Sequence, residues 1–287
     1  MIDLNSLPED TEHISVSYKG LTSLDVRRFK NLKILYCEYN QLTSLQLNEN
    51  LESLRCSHNK LTSLQLNKNL ETLHCSCNQL SSLHLNEKLK SLYCSYNQLS
   101  YLQLNEKIEQ LYCDFNKITY LRLNKNLQEL YCRNNQLTSL QLNENLQELY
   151  CRNNQLTYLH LNEKLEVLFC SYNNLDSLQL NEKLQYLSCS NNKLTVLQLN
   201  EKLRILEYSF NPIYEIINTN DKDITKKKLR VLNQFKYLYY SLKFKKRFRD
   251  LLWIKIREPK IREKYSHDYL VKNLHEDTDL DDLLENW

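Results

Sequence analysis

Along most of this chain the apolar positions recur every nineteen residues. One unit reads Leu32-x-x-Leu35-x-Cys37-x-x-Asn40-x-Leu42-x-x-Leu45-x-Leu47-Asn48-Glu49-Asn50, and the next opens at Leu51. Further units open at Leu70, Leu89, Ile108, Leu127, Leu146, Leu165, Leu184 and Leu203. Within each unit the spacing alternates, which suits an extended segment around the fourth to sixth positions and an extended or turn-rich return arm after the eleventh. A unit this short cannot bury its own apolar face, so the units must stack. The ends are degenerate, as an array that has to hide two open apolar edges requires. At the N-terminal end Ile14, Val16, Leu21, Leu24 and Val26 fit the pattern, and a two-residue insertion in 27–31 delays the next start. At the other end Tyr208 replaces cysteine and Pro212 follows the Asn.

Counting the opening residue as position one, each slot has its own chemistry. Leu at positions one, four, eleven, fourteen and sixteen is expected to point inward, and Cys at position six to join it as a small apolar residue. Asn at position nine, from Asn40 to Asn211, is expected to bond the backbone at a corner that would otherwise bury unpaired groups. Asn at position seventeen belongs to the return turn. The chain has one Gly and three Pro, so its tight corners cannot be built on Gly; Asn, which tolerates left-handed geometry, can take that place.

The pattern resembles the leucine-rich repeat family, whose signature is Leu-x-x-Leu-x-Leu-x-x-Asn/Cys-x-Leu, with Cys here in the third Leu slot. The match covers about residues 11–217. The unit is just shorter than the roughly 20–29 residues usual for that family. The resemblance implies a leucine-rich repeat solenoid of short repeats, with parallel β-strands lining its concave face and little or no outer helix. With strands about 4.8 Å apart, eleven units would span on the order of 50 Å. The expected organisation is a degenerate repeat or cap at 1–31, the repeats at 32–217, and a small α-helical C-terminal tail at 218–287.

Nine cysteines fall on the nineteen-residue period, from Cys37 to Cys189. A ladder of identical residues on successive strands makes a row, not the tetrahedron of a zinc site. A buried row also lacks the exposure and neighbouring base that a nucleophile needs. The periodic thiols therefore read as core. Cys77 lies off the period in an outward slot and is expected to react readily with a thiol probe. The histidines are scattered singly, and neither a phosphate-binding loop nor a Ser/His/Asp arrangement is legible. No catalytic residue, metal ligand or cofactor is assigned, and the chain reads as a non-enzymatic protein. The N-terminus has no basic flank followed by an apolar core, so no signal peptide is expected, and a reduced, intracellular setting follows.

If the resemblance holds, residues between the inward Leu and Cys cross the concave face. Position five supplies Tyr36, Arg55, His74, Tyr93, Tyr112, Tyr131, Tyr150 and Phe169; position eight adds Tyr39, His58, Tyr96, Phe115 and Tyr172. Position seven is mostly Ser, interrupted by Glu38, Asp114, Arg133 and Arg152. Tyr and Arg are enriched at interface hot spots, so Tyr36, Tyr93, Tyr112, Tyr131, Arg133, Tyr150, Arg152 and Phe169 are the candidate partner-binding residues. The competing reading is that Tyr is simply a good strand former carried along by near-identical repeats.

The formal charge of +3 conceals an asymmetric tail. Residues 218–264 hold sixteen Lys/Arg against five Asp/Glu, and 265–287 one Lys against seven acidic residues. Leu229, Leu232, Phe235, Leu238, Tyr239, Leu242, Phe248, Leu251 and Leu252 predict a basic amphipathic helix, ended by Glu258-Pro259. Shorter helices are expected near 266–275 and 278–286. The basic helix can cap the last repeat, or bind nucleic acid or an anionic membrane. The segment Trp253-x-x-Ile256-x-x-Pro259-x-Ile261-x-x-x-Tyr265 with the terminal Trp287 resembles C-terminal tails of proteins from giant, mimivirus-like DNA viruses of amoebae. That resemblance implies a viral protein in the host cytoplasm or the virion. The expected function is a protein–protein interaction scaffold. Nucleic-acid or membrane binding through the tail, or a virion structural role, are the alternatives.

Overall fold

The computed structural model describes residues 7–217 and, beyond them, residues 224, 225, 227–229, 231, 250, 254 and 258–260. Most of the predicted tail, its basic and acidic segments included, lies outside the described residues. The chain divides into two compact units, 1–230 and 231–287, and all the repeats fall in the first.

Each repeat contributes one three-residue strand at positions three to five. These are β1 (His13–Ser15), β3 (Ile34–Tyr36), β5 (Ser53–Arg55), β6 (Thr72–His74), β7 (Ser91–Tyr93), β8 (Gln110–Tyr112), β9 (Glu129–Tyr131), β10 (Glu148–Tyr150), β11 (Val167–Phe169), β12 (Tyr186–Ser188) and β13 (Ile205–Glu207). They form one eleven-stranded parallel sheet in sequence order. Register is set by the central leucine, which pairs with its equivalent one unit on, as Leu111 with Leu130 and Leu130 with Leu149. In the return arm only β2 (Ser23–Asp25) and β4 (Ser44–Gln46) make a second, two-stranded ladder. Elsewhere the arm is joined by one isolated bridge, Gln179 with Gln198, and by bonds such as Gln98 N–H to Leu80 C=O at 2.9 Å. The fold is therefore a parallel β-solenoid, and no helix separates one repeat from the next among the described residues.

The core is the stack of positions one, four, six, eleven and fourteen. At positions one, four and six of the middle repeats the side chains are fully buried, and at fourteen nearly so. Burying a Leu side chain contributes roughly 1.5–3 kcal/mol, so stacking, not strand propensity, holds such short strands. Position sixteen departs from expectation. Leu47, Leu66, Leu85, Leu104, Leu123, Leu142, Leu161, Leu180 and Leu199 are only half-buried. The reason is the Asn that follows. Asn124 turns inward to donate from Nδ2 to Asn105 C=O (2.6 Å) and Ile108 C=O (3.0 Å), while its Oδ1 accepts from Leu127 N–H (2.8 Å). Neighbouring residues in extended chain face opposite ways, so the preceding Leu is turned out of the core. At the two ends of this Asn column, Asn48 and Asn200, the Oδ1 finds no protein donor.

The ninth-position Asn does what its pattern predicts. Asn116 Nδ2 donates to Cys113 C=O of its own unit and to Cys94 C=O of the preceding one, both at 3.1 Å, and its Oδ1 accepts from Leu99 N–H at 3.0 Å. The same triplet recurs at Asn59, Asn78, Asn97, Asn135, Asn154, Asn173, Asn192 and Asn211. It joins two units through one side chain. The left-handed corner itself lies one residue earlier. Position eight has φ between 53° and 59° from Tyr18 to Phe210, and Asn fills it only at Asn134, Asn153 and Asn191. Tyr, Phe, His and Cys occupy the rest, a conformation that is unfavourable for residues with a Cβ. The backbone compensates by bonding across units, for example Tyr96 N–H to Asp114 C=O at 2.8 Å.

The C-terminal edge of the repeats is covered by α1 (Pro212–Ile217). Pro212 opens the helix, where its fixed φ is favourable and its missing N–H is not needed. Ile213 and Ile217, four residues apart, share one buried face. Ile213 N–H bonds Leu194 C=O at 3.0 Å, and the Tyr208 ring, in the cysteine slot, meets Tyr214 edge-on at 5.2 Å. Thr225 and Leu229 are also buried, and Lys228 Nζ donates to Ile217 C=O at 2.7 Å, closing the helix C-terminus.

Candidate functional site

Position five follows the inward Leu of each strand, so its side chain stands on the outer face of the sheet, and parallel register sets equivalent residues directly above one another. The outcome is an almost continuous ring stack. His74–Tyr93, Tyr93–Tyr112, Tyr112–Tyr131, Tyr131–Tyr150 and Tyr150–Phe169 have centroids 4.1–4.9 Å apart and planes within 17° of parallel. All six are half-buried, because each covers its neighbours' faces. What the column presents outward is ring edges and hydroxyls, not open ring faces.

Position three runs alongside and ties those hydroxyls down. Tyr112 Oη donates to Glu129 Oε2 at 2.7 Å and Tyr131 Oη to Glu148 Oε2 at 3.3 Å. Gln110 Nε2 donates to Glu129 Oε1 at 3.0 Å. Burial, and then the neighbouring Glu129, hold the Tyr112 hydroxyl far above the usual tyrosine range. Burial first, and Arg55 second, push His74 down to about 4, so the head of the stack is neutral at physiological pH. On the other side, position seven brings Arg133 over the rings of Tyr150 (4.6 Å) and Tyr131 (5.4 Å), with its Nε buried and without an acceptor. Asp114 Oδ1 accepts from Arg133 N–H at 2.6 Å, and burial raises its pKa.

The structure thus brings Tyr93, Tyr112, Tyr131, Tyr150, Phe169 and Arg133 into one cluster. Tyr36 stands apart from it, edge-on to His13 at 5.0 Å and beneath the Arg55 guanidinium at 4.9 Å. Arg152 lies over Tyr172 of the eighth column, at 4.7 Å. A further group lies on the return arm, away from the strands. Tyr120, Tyr158, Ser139 and the half-buried Leu123 and Leu142 line a groove of about 600 Å³. Its signal was present in the sequence, as Tyr in place of Ser at position thirteen.

The periodic cysteines form a ladder of free, buried thiols. Burial pushes Cys75 and Cys151 up to about 12, and burial with Glu38 does the same to Cys37. Cys77 is free and half-buried, and burial raises it as well, so its reaction is slower than that of an open thiol. Among the described residues no group of three or more His, Cys, Asp or Glu is placed to hold a metal ion.

A parallel solenoid built on a Leu/Cys/Asn unit is the architecture of the leucine-rich repeat. Comparison with solved structures agrees. The functional domain of InlJ from Listeria monocytogenes, described as including a cysteine ladder, aligns at 30% identity over 67% of this chain and 54% of that one, with a TM-score of 0.61. YopM from Yersinia enterocolitica aligns at 32% identity over 70% of this chain and 49% of that one, TM-score 0.62. YopM from Yersinia pestis, described as a leucine-rich effector protein, aligns at 29% over 71% and 68%, TM-score 0.64. This chain spans about half the length of the first two. No protein-family model matches the chain, and no curated protein matches it. The chain has the leucine-rich repeat fold. The viral resemblance of its tail has no counterpart among these structures, which come from bacteria.

Proposed function

We propose that the chain is a protein-binding scaffold and that its partner contacts the outer face of the sheet along positions three, five and seven. The observation that carries this reading is the six-ring column from His74 to Phe169, flanked by Glu129 and Glu148 on one side and Arg133 on the other. A rigid aromatic row with charged margins is the composition of an interface centre and rim. Stacking has already fixed these side chains, so a partner would not have to order them on binding. Repeat solenoids use such extended faces for recognition. The similarity to a leucine-rich effector supports a binding role in general.

The test is affinity capture with the wild type, with Tyr93, Tyr112, Tyr131 and Tyr150 all changed to Ser, and with Arg133→Glu, which leaves the stacked rings in place. Partners lost in both variants support the face. A set of captured proteins unchanged by either variant refutes it.

A further inference from the structure

From Tyr18 to Phe115 the eighth column is a second ring stack with one ring missing. Every residue in it emerges from the same left-handed backbone, φ 54° at Tyr39, 56° at His58, Cys77 and Tyr96, and 53° at Phe115. Side chains therefore leave the sheet in one direction at one-unit intervals. Where rings are adjacent they stack: Tyr18 on Tyr39 at 4.4 Å, Tyr39 on His58 at 4.2 Å, Tyr96 on Phe115 at 4.2 Å, all within 10° of parallel. Cys77 interrupts the series between His58 and Tyr96. The register sets those two rings two units apart, so one ring position, at the 4.2 Å stacking interval of their own neighbours, lies empty between two ring faces. The slot is open. Tyr96 is 52% exposed against 44% for Tyr39, which is covered on both faces, and Cys77 at the floor is reachable.

The other ringless places in the column differ. Asn134 and Asn153 are consecutive and bond each other, Nδ2 of Asn153 to Oδ1 of Asn134, and Asn191 lies between the single rings of Tyr172 and Phe210, neither of which ends a stack. Only at Cys77 do two stacks, among the described residues, end on rings facing each other across one unit. The seventh-position residues alongside are the uncharged Ser57, Ser76 and Ser95, so nothing in that row would neutralise a phosphate backbone.

We propose that this slot takes one aromatic side chain of a protein partner, sandwiched between His58 and Tyr96. The ring faces make the site, and the thiol beneath them reports its occupancy. This deepens the reading of the sheet face as a protein-binding surface, but its test needs no partner. The full chain is alkylated with iodoacetamide alone, or with excess N-acetyl-tryptophanamide, N-acetyl-leucinamide or adenosine monophosphate, and Cys77 is quantified by mass spectrometry. The indole amide should slow Cys77 alkylation about twofold or more, in a saturable manner, and the leucine amide should not. The protection should vanish in the His58→Ala/Tyr96→Ala variant. The nine periodic thiols, unlabelled throughout, report that the array stays folded. Equal protection by the two amides, protection that survives loss of both rings, no protection, or protection by the nucleotide alone each overturns the proposal. Any of these can occur while partner capture still depends on Tyr93–Tyr150, so the two readings fail separately.

Discussion

Asn116→Leu removes one side chain from the middle of the array and leaves a countable deficit. Leu99 N–H loses Asn116 Oδ1, its acceptor at 3.0 Å, and is left buried and unpaired. Cys94 C=O and Cys113 C=O each lose a 3.1 Å bond, but each keeps another, from Asn97 Nδ2 at 3.0 Å and Asn135 Nδ2 at 3.0 Å. An orphaned buried donor costs about 1–3 kcal/mol and each shared bond about 0.5–1, so the variant should lose about 2–5 kcal/mol. For a urea dependence of about 2 kcal/mol per molar, the unfolding midpoint should fall by about 1–2.5 M. Thr119→Ala, at an exposed position of the same unit, should stay within about 0.5 kcal/mol. Asn116→Asp separates the two halves of the device. It keeps an acceptor for Leu99 N–H but turns the donor into a charge facing three carbonyl oxygens, those of Cys94, Cys113 and Asp114. Burial and those oxygens would raise the new carboxyl's pKa in the folded state. Its protonated form is then favoured by folding, so the variant should be most stable below pH ~4 and lose stability as pH rises through the raised value. The assay is equilibrium urea unfolding followed by circular dichroism. Because units couple only to their neighbours, a second transition in Asn116→Leu would express the same loss. A single transition with an unmoved midpoint would refute the corner role of the ninth-position Asn.

Three further outcomes are expected. The periodic thiols have folded pKa values raised above their unfolded ones, so their contribution is complete below pH ~8.5 and is lost as pH rises toward about 12; each thiol should steepen the decline by about 1.4 kcal/mol per pH unit, and unfolding midpoints measured from pH 8 to 11 for the wild type and Cys113→Ala check it. Leu140→Ala, at a site 2% exposed, should cost about 2–5 kcal/mol, and Leu142→Ala, at the half-buried sixteenth position, clearly less; equal losses in denaturant titration would contradict the reorientation of that position. His74 has a folded pKa lowered to about 4, so its contribution is present above pH ~6.5 and lost on acidification toward pH 4; His74→Phe should flatten that part of the stability–pH curve.

Much of this molecule was legible in the residues. The inward positions one, four, six, eleven and fourteen, the parallel strands and the bonding role of Asn40–Asn211 follow from a nineteen-residue period and the chemistry of each slot. The candidate face was legible as a list but not as a surface. Tyr36 and Arg152 share the period of the cluster yet stand outside it, because ring contacts depend on which neighbours a unit has. The half-burial of Leu47 and its equivalents was hidden as well, since alternation cannot show that the following Asn wins the inward direction.

The sequence by itself determined the repeat, its register and the buried thiol ladder, because a strict period with one small apolar residue per unit admits a single stacking. Only the tertiary structure decided what the outer residues do. Equivalent side chains meet across strands, contacts that one unit read alone cannot contain. Stacking closes the fifth-position ring faces against one another and leaves edges to the solvent. The left-handed turn at position eight, which falls mostly on aromatic residues, aims a second column outward and leaves a gap where Cys77 replaces a ring.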